Sequence, residues 1–140
     1  MLAVVSGQII LASDVRAFLE LGLVTVETED PTERERTALT RLIERRLVLD
    51  EVNRYLLAPL PPGSVEQALA GIRARFPDVE TFDALLDAVG LNPDDLRQIL
   101  RDDARIEAYL ADRFGERRAG EMEDWIGRLE SRAEVLRLDP

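Results

Sequence analysis

Hydrophobic positions recur with two different periods along this chain. At the start, two short apolar runs, residues 3–5 and 9–11, flank the dipeptide Ser6-Gly7. β-Branched residues on both sides of a two-residue turn predict a β-hairpin over residues 2–11, in which Gly7 supplies the positive φ that tight turns need. A lone hairpin is barely stable in water, so another element must cover or extend it.

Between residues 13 and 114, and again over 121–133, apolar side chains follow the spacing of amphipathic helices. Capping residues and prolines mark the expected starts, with Ser13 and Ser64 as N-caps, and glycines or prolines mark most ends. The predicted helices start at Ser13, Pro31, Ser64, Glu80, Pro93 and Glu121. They end near Gly22, Leu57, Pro77, Val89, Phe114 and Ala133.

The helix that starts at Pro31 is expected to be the longest and to lie at the centre of the domain. Its apolar residues repeat at helical spacing, and residues 47–49 make it apolar on more than one side. A helix that is apolar all round is a buried one.

The period changes again at residues 135–138, which alternate like a short strand. This strand and the hairpin both need a partner, so we expect the two chain ends to share one three-stranded sheet. The predicted fold is mainly α, with about six helices and this small sheet. We expect one domain over residues 1–140, with a hairpin (2–11), a helical body (13–114) and a closing helix and strand (121–138).

Composition narrows the classes of function. The 140 residues include 18 basic and 28 acidic side chains, a formal charge of −10, which disfavours binding to nucleic acid. Cysteine and histidine are both absent, so disulfides, thiolate metal sites, cysteine nucleophiles and histidine bases are excluded. No apolar run approaches the roughly 20 residues that span a bilayer, so no membrane insertion is expected.

Three carboxylate clusters are candidates for metal or acid–base chemistry, but we interpret them as helix N-terminal charges and solvated faces. They are Asp94-Asp95, Asp102-Asp103, and Glu121 with Glu123-Asp124. Asp103 stands apart because it falls near an apolar stripe, where a carboxylate needs a partner and arginine is the best candidate. We therefore predict a structural salt bridge at Asp103 and no metal site.

Three aromatic residues could contact a bound polypeptide, although packing in the core or at its boundary is the favoured interpretation. They are Tyr55, Tyr109 and Trp125. Trp125 lies on the inner stripe of the last helix, and we expect it to anchor that helix to the hairpin.

Several apolar residues in or beside linkers are not used by the predicted helical stripes, and exposed apolar patches usually mean a partner. These are Leu21, Leu23, Val24, Val26, Leu56, Leu57 and Leu60. An alternative is that a second copy of the chain covers them, and the short join before residue 121 would allow the closing helix and strand to be exchanged between two copies.

Four segments, taken in order, resemble the core chaperone module of the SurA family of periplasmic folding factors. Residues 4–10 with the Ser13 helix start are similar to the family's opening hairpin and Ser/Thr-capped helix. Residues 42–52 resemble its Leu-Ile-x-x-x-Leu-hydrophobic-x-x-Glu/Gln-Ala/Val helix, and residues 82–103 the paired helices that follow. Residues 125–138 resemble the closing helix and strand. Each motif is weak alone, but their order covers nearly the whole chain and is much more specific.

One departure from the family pattern matters most. One or two parvulin domains, which carry prolyl isomerase activity, usually lie between the fifth helix and the closing helix, but here the join is only residues 115–120. The resemblance therefore implies an ATP-independent holdase that binds unfolded exported or outer-membrane polypeptides through an apolar groove. No isomerase or other enzyme activity and no cofactor are expected.

The resemblance also implies a periplasmic or otherwise extracytoplasmic location, although the start of this chain does not have the pattern of a signal peptide. The candidate client-binding residues are Phe18, Leu21, Leu23, Val24, Leu56, Leu57 and Tyr109. A second interpretation stays open, in which the same fold dimerises or docks on one fixed protein partner and has no chaperone activity.

Overall fold

The computed structural model describes residues 2–55, 59–115 and 118–138. Within these ranges the chain forms six helices and three short strands, so the prediction of a mainly helical fold with a small sheet is confirmed. The strands are β1 (Ala3–Val5), β2 (Gln8–Ile10) and β3 (Val135–Arg137). The helices are α1 (Ala12–Glu20), α2 (Pro31–Val52), α3 (Ser64–Arg73), α4 (Val79–Ala88), α5 (Pro93–Phe114) and α6 (Arg118–Arg132).

The two chain ends meet in one antiparallel sheet with the strand order β2-β1-β3, as predicted. The hairpin turn places Ser6 at φ 49° and Gly7 at φ 83°. Positive φ at both central residues is the conformation whose twist matches the flanking strands. Leu2 adds two backbone hydrogen bonds beyond the strands, because its N–H donates to Ile10 O and its carbonyl accepts from Leu138 N, each at 2.8 Å.

Helix α2 lies at the centre of the fold and contacts α1, α5, α6 and β1. The Asp30 carboxylate caps its start by accepting from Thr32 N at 3.2 Å. Its buried residues lie on several sides, as expected for a central helix: Ala38, Leu39, Leu42, Ile43, Leu47, Val48, Leu49 and Val52. The helix ends at Val52, before the predicted end near Leu57, and Leu57 itself lies outside the described residues.

The buried residues form two cores, and α5 contributes to both. The first core joins the hairpin, α1, α2, the C-terminal half of α5 and α6. The second core joins α3, α4 and the N-terminal half of α5 with Ala17 and Leu21, which α1 and its C-terminus supply.

Four helices differ from the prediction in their first residue or in their N-cap. Helix α4 begins at Val79 instead of Glu80, because Asp78 accepts from Thr81 N at 2.7 Å and is its N-cap. Helix α1 begins at Ala12 instead of Ser13, because Asp14 accepts from the Leu11 N–H at 2.8 Å and so places Leu11 at the N-cap. At α3 the N-cap is Gly63 and not Ser64. Helix α6 begins at Arg118 instead of Glu121, since a single glycine is tolerated within a helix.

The glycine that follows α1 ends the helix as predicted, in a Schellman motif. Gly22 has φ 70°, its N–H donates to Leu19 O at 3.2 Å, and Leu23 N donates to Phe18 O at 2.9 Å. The Arg75 guanidinium then donates to Leu21 O at 3.2 Å. These contacts tie the end of α1 to the segment that follows α3.

Candidate functional site

The predicted client-binding residues do not form one exposed groove. Phe18, Leu21 and Tyr109 are buried in the two cores, with Leu21 only 1% exposed. Leu23 and Val24 are half-buried and pack against these cores. The interpretation of Leu21 as surplus to packing is therefore wrong, because α3 and α4 cover it. Two further predicted residues, Leu56 and Leu57, lie outside the described residues.

A different groove, of about 580 Å³, lies between α1 and the start of α2. Apolar side chains alternate in its lining with charged ones. The apolar members are Ala12, Val15, Leu19 and Pro31, and the charged members are Arg16, Glu20, Glu29, Arg34 and Glu35. Its volume lies in the range of ordinary ligand sites. No pattern in the sequence indicates this groove, because its lining comes from two segments that only the packing of α1 on α2 brings together.

The two arginines around this groove have hydrogen-bond or ion-pair partners, whereas, within the described ranges, two of its three glutamates do not. Arg16 pairs with Glu20, with 3.4 Å between Nε and Oε1, and Arg34 donates to the Thr28 carbonyl at 3.1 Å. Among the residues that the structure describes, Glu29 and Glu35 have no ion-pair partner. The groove therefore combines an apolar lining with a slightly acidic rim. Such a site suits an apolar side chain that has a cationic neighbour.

A second candidate surface lies on the sheet. Val4 pairs with Ile9 on one side and with Leu136 on the other, and all three side chains point away from α2. Because side chains alternate along a strand, Leu11 and Leu138 share that side, whereas Leu2 packs against the first core. We call Val4, Ile9, Leu11, Leu136 and Leu138 the outer sheet face. Ile9, Leu11, Leu136 and Leu138 are 41–58% exposed.

The aromatic residues pack against each other. Tyr109 and Trp125 are buried, and their ring centroids lie 5.9 Å apart, while the half-exposed Tyr55 lies 5.4 Å from Tyr109. Trp125 also meets Phe114 edge to face at 5.3 Å. The ring contacts of Trp125 are thus with α5, and it shares the first core with the hairpin residues. For Tyr109 and Trp125 the packing interpretation is confirmed.

Arg113 completes this aromatic cluster from its solvent side. Its guanidinium lies 4.9 Å from the Trp125 ring centroid and donates to the Tyr109 hydroxyl at 3.2 Å. Burial raises the pKa of Tyr109, and the hydrogen bond and positive charge of Arg113 partly oppose that rise. The phenol is consequently neutral at physiological pH and acts as a packing group.

Asp103 forms the predicted salt bridge with an arginine, which is Arg45 of α2. The Arg45 Nε lies 2.8 Å from Oδ1 of Asp103, and Nη2 donates to Ile99 O at 3.3 Å. The same guanidinium lies 5.2 Å from the Phe18 ring centroid. Burial raises the pKa of Asp103, and the charge and hydrogen bond of Arg45 oppose that rise without cancelling it. The pair joins α2 to α5 as a structural salt bridge.

The other carboxylates on α5 serve its helix. Asp95 accepts from Asn92 N at 3.1 Å, and Asp94 pairs with Arg97 at 3.1 Å. Within residues 2–55, 59–115 and 118–138, no three acidic side chains converge as metal ligands. In the same ranges no helix combines the length and apolar character needed to cross a membrane.

Comparison of the chain with protein-family models, with curated proteins and with solved structures gave no match. The assignment of a function therefore depends on the surfaces described above and on the sequence resemblance.

Proposed function

We propose that this protein is an ATP-independent holdase that binds unfolded exported or outer-membrane polypeptides, as the resemblance to the SurA chaperone module implies. The observation that carries the proposal is the groove between α1 and α2, with its apolar lining and acidic rim. Extended polypeptides with apolar side chains next to lysine or arginine fit this combination of lining and charge. The net charge of −10 favours the approach of such basic segments.

The size of the groove limits the strength of binding. Burial of one apolar side chain contributes about 1.5–3 kcal/mol. After the entropic costs of association, a single such contact supports an affinity of roughly millimolar or weaker. A client must therefore engage several sites at once. Among the described residues no strand pairs with the outer edge of β2, so this edge offers main-chain hydrogen bonds for any sequence. Weak and broad binding of this kind suits a holdase.

We further propose that the protein acts outside the cytoplasm and has no prolyl isomerase activity. Helix α5 ends at Phe114 and α6 begins at Arg118, so no parvulin domain lies between them. The chain also has no histidine for a parvulin-type site. The extracytoplasmic location comes from the family resemblance alone.

The proposal is tested by light scattering from an outer-membrane protein diluted out of urea, with and without this protein. We expect the wild-type chain to suppress aggregation at about equimolar to fivefold excess, because each contact is weak. Ala12→Glu places a charge in the groove lining at the first residue of α1, where a negative charge favours the helix. We expect this variant to lose most of the suppression.

Val79→Glu is the matched control, because Val79 is also the first residue of an exposed helix start, in α4, far along the chain from the groove. It should suppress aggregation like the wild type. Absence of suppression by the wild-type chain would rule out the proposed function, and an equal effect of both substitutions would rule out the groove as the client site.

A further inference from the structure

We propose that α3 and α4, with the segment that joins them, form a lid that opens as one cooperative unit while the rest of the fold stays in place. We call residues 64–88 the lid. This inference goes beyond the proposed function and does not depend on it. It uses the division of the buried residues into two cores and the contacts that hold the lid to α1 and α5.

The buried side chains of the lid all lie in the second core. In α3 these are Leu69 and Ile72, and in α4 they are Phe82 and Leu86. The half-buried apolar residues of the lid pack against the same core: Val65, Phe76 and Leu85. The hairpin, α2 and α6, in contrast, supply buried residues to the first core. Opening of the lid therefore removes no buried side chain from the first core.

The two lid helices depend on each other. Each has ten residues, and isolated helices shorter than about 12–15 residues are marginal in water. The Arg73 guanidinium of α3 lies 5.6 Å from the ring centroid of Phe82 in α4. Phe76, in the segment that joins the helices, meets the same ring edge to face at 5.3 Å. Because the loss of one helix removes the support of the other, we expect them to open together.

Polar contacts at the rim hold the lid to the rest of the fold. Arg75 donates to Leu21 O at 3.2 Å and to Gly22 O at 3.4 Å, at the end of α1. Glu66 pairs with Arg97 of α5 at 2.9 Å, but Glu66 is 61% exposed, so water screens this pair. The apolar contacts of the lid are with residues at the end of α1 and in the N-terminal half of α5: Ala17, Leu21, Leu96 and Leu100.

Opening of the lid exposes an apolar surface on helices that remain folded. Helix α1 stays anchored in the first core through Phe18, and α5 through Tyr109. Helix α5 also keeps its own N-cap at Asn92, which lies outside the lid. The sides of α1 and α5 that face the lid, including Leu21, then become accessible to solvent. The closed lid thus covers this apolar surface, and the open lid exposes it.

Native-state hydrogen exchange of the wild-type chain in low urea tests this proposal, in the regime where reclosing is faster than exchange. The slowest amides of α3 and α4 should share one opening free energy and one urea dependence. Their protection from exchange should be at least about tenfold lower than that of the slowest amides of α2. A single opening that the lid shares with α2 overturns the proposal, and so do separate openings of α3 and α4.

A matched pair of substitutions shows whether the lid opens without the first core. Ile72→Val shortens a buried side chain of the lid, and Ile43→Val makes the same change in α2, at positions that are 4% and 1% exposed. Ile72→Val destabilises the closed protein relative to every state with an open lid, including the unfolded state. It should therefore lower the protection of α3, α4 and α2 alike, by about threefold to tenfold.

Ile43→Val should act differently, because the first core persists when only the lid is open. It should lower the protection of α2 by a similar factor and leave that of the lid unchanged. A fall in the protection of the lid in Ile43→Val overturns the proposal, since the lid would then open only with the whole fold. An effect of Ile72→Val on α3 without the same effect on α4 overturns it as well.

Discussion

Substitution of either partner in the ion pair between Arg45 and Asp103 should destabilise the fold, but by different amounts. In Arg45→Met the methionine fills much of the arginine's space, but Asp103 and the Ile99 carbonyl lose their donor. In Asp103→Asn an uncharged acceptor remains beside Arg45, and the cost of burying a carboxylate disappears. The two substitutions break the same ion pair, yet only the first leaves a partly buried charge without a hydrogen-bond partner, because in the second Arg45 keeps the side-chain amide oxygen and Ile99 O as acceptors.

The burial and hydrogen bonds of the pair determine how far the free energies of unfolding of the two variants should differ. A hydrogen bond to a charged group contributes about 1.5–3 kcal/mol, and the loss of one partner carries the desolvation cost of the other. The side chains of Arg45 and Asp103 are 20% and 35% exposed, so water screens part of this energy. We therefore expect Arg45→Met to lower the free energy of unfolding by about 1.5–2.5 kcal/mol and Asp103→Asn by less than about 1 kcal/mol.

The pH dependence of the free energy of unfolding shows whether the unpaired Asp103 carboxylate causes the loss of stability in Arg45→Met. Burial already raises the folded-state pKa of Asp103 above its ordinary value of 3.8, and loss of Arg45 raises it further. A group with a raised folded pKa contributes stability at low pH that is lost as the pH rises through that pKa. The loss of unfolding free energy in Arg45→Met, relative to the wild type, should thus be largest at pH 7 and become smaller as the pH falls towards 4.

Urea denaturation at pH 7 and pH 4, followed by the fluorescence of the single tryptophan, measures these differences. The double variant with both substitutions shows whether the two positions couple. The reasoning is refuted if Asp103→Asn costs as much as Arg45→Met at pH 7, or if the deficit of Arg45→Met does not change with pH.

Three further predictions concern the elements that hold the fold. Gly22→Ala should cost about 1–2 kcal/mol in thermal unfolding, because Gly22 has φ 70° and an added Cβ meets the Arg75 guanidinium; Gly71→Ala inside α3 should be neutral or stabilising. Asn92→Ala should cost about 1 kcal/mol, since it removes a cap whose Oδ1 accepts from Asp95 N at 2.8 Å, and circular dichroism in urea measures the loss. Trp125→Ala should cost about 3–5 kcal/mol by calorimetry, and a cost below about 1 kcal/mol would contradict its role in the first core.

Much of the fold could be predicted from local patterns. The Ser6-Gly7 turn, the Asp30-Pro31 helix start and the Gly22 stop each depend on backbone conformations that neighbouring residues determine. The helix starts at Ala12, Val79 and Arg118 were misplaced by one to three residues, and at α3 only the cap was wrong, since Gly63 and not Ser64 is the N-cap.

The candidate sites depended on distant contacts and were predicted less well. The sequence predicted an arginine partner for Asp103, but only the packing of α2 on α5 selected Arg45 from the chain's 18 arginines. Leu21 looked surplus because it follows the stripe of α1, yet the second core, built from residues far along the chain, buries it. The groove between α1 and α2 has no pattern of its own in the sequence.

The sheet shows most clearly which features the sequence determines and which depend on tertiary packing. By itself the sequence predicted a hairpin with strand runs at 3–5 and 9–11 and a strand over 135–138, within one residue of the observed strands, because turn geometry and β-branched side chains act locally. It did not determine which side of the sheet faces the core, since the hairpin strands are apolar at almost every position and lack the usual alternation. The packing of β1 on α2 decided that, and it left Ile9 and Leu136 on the side that faces outward.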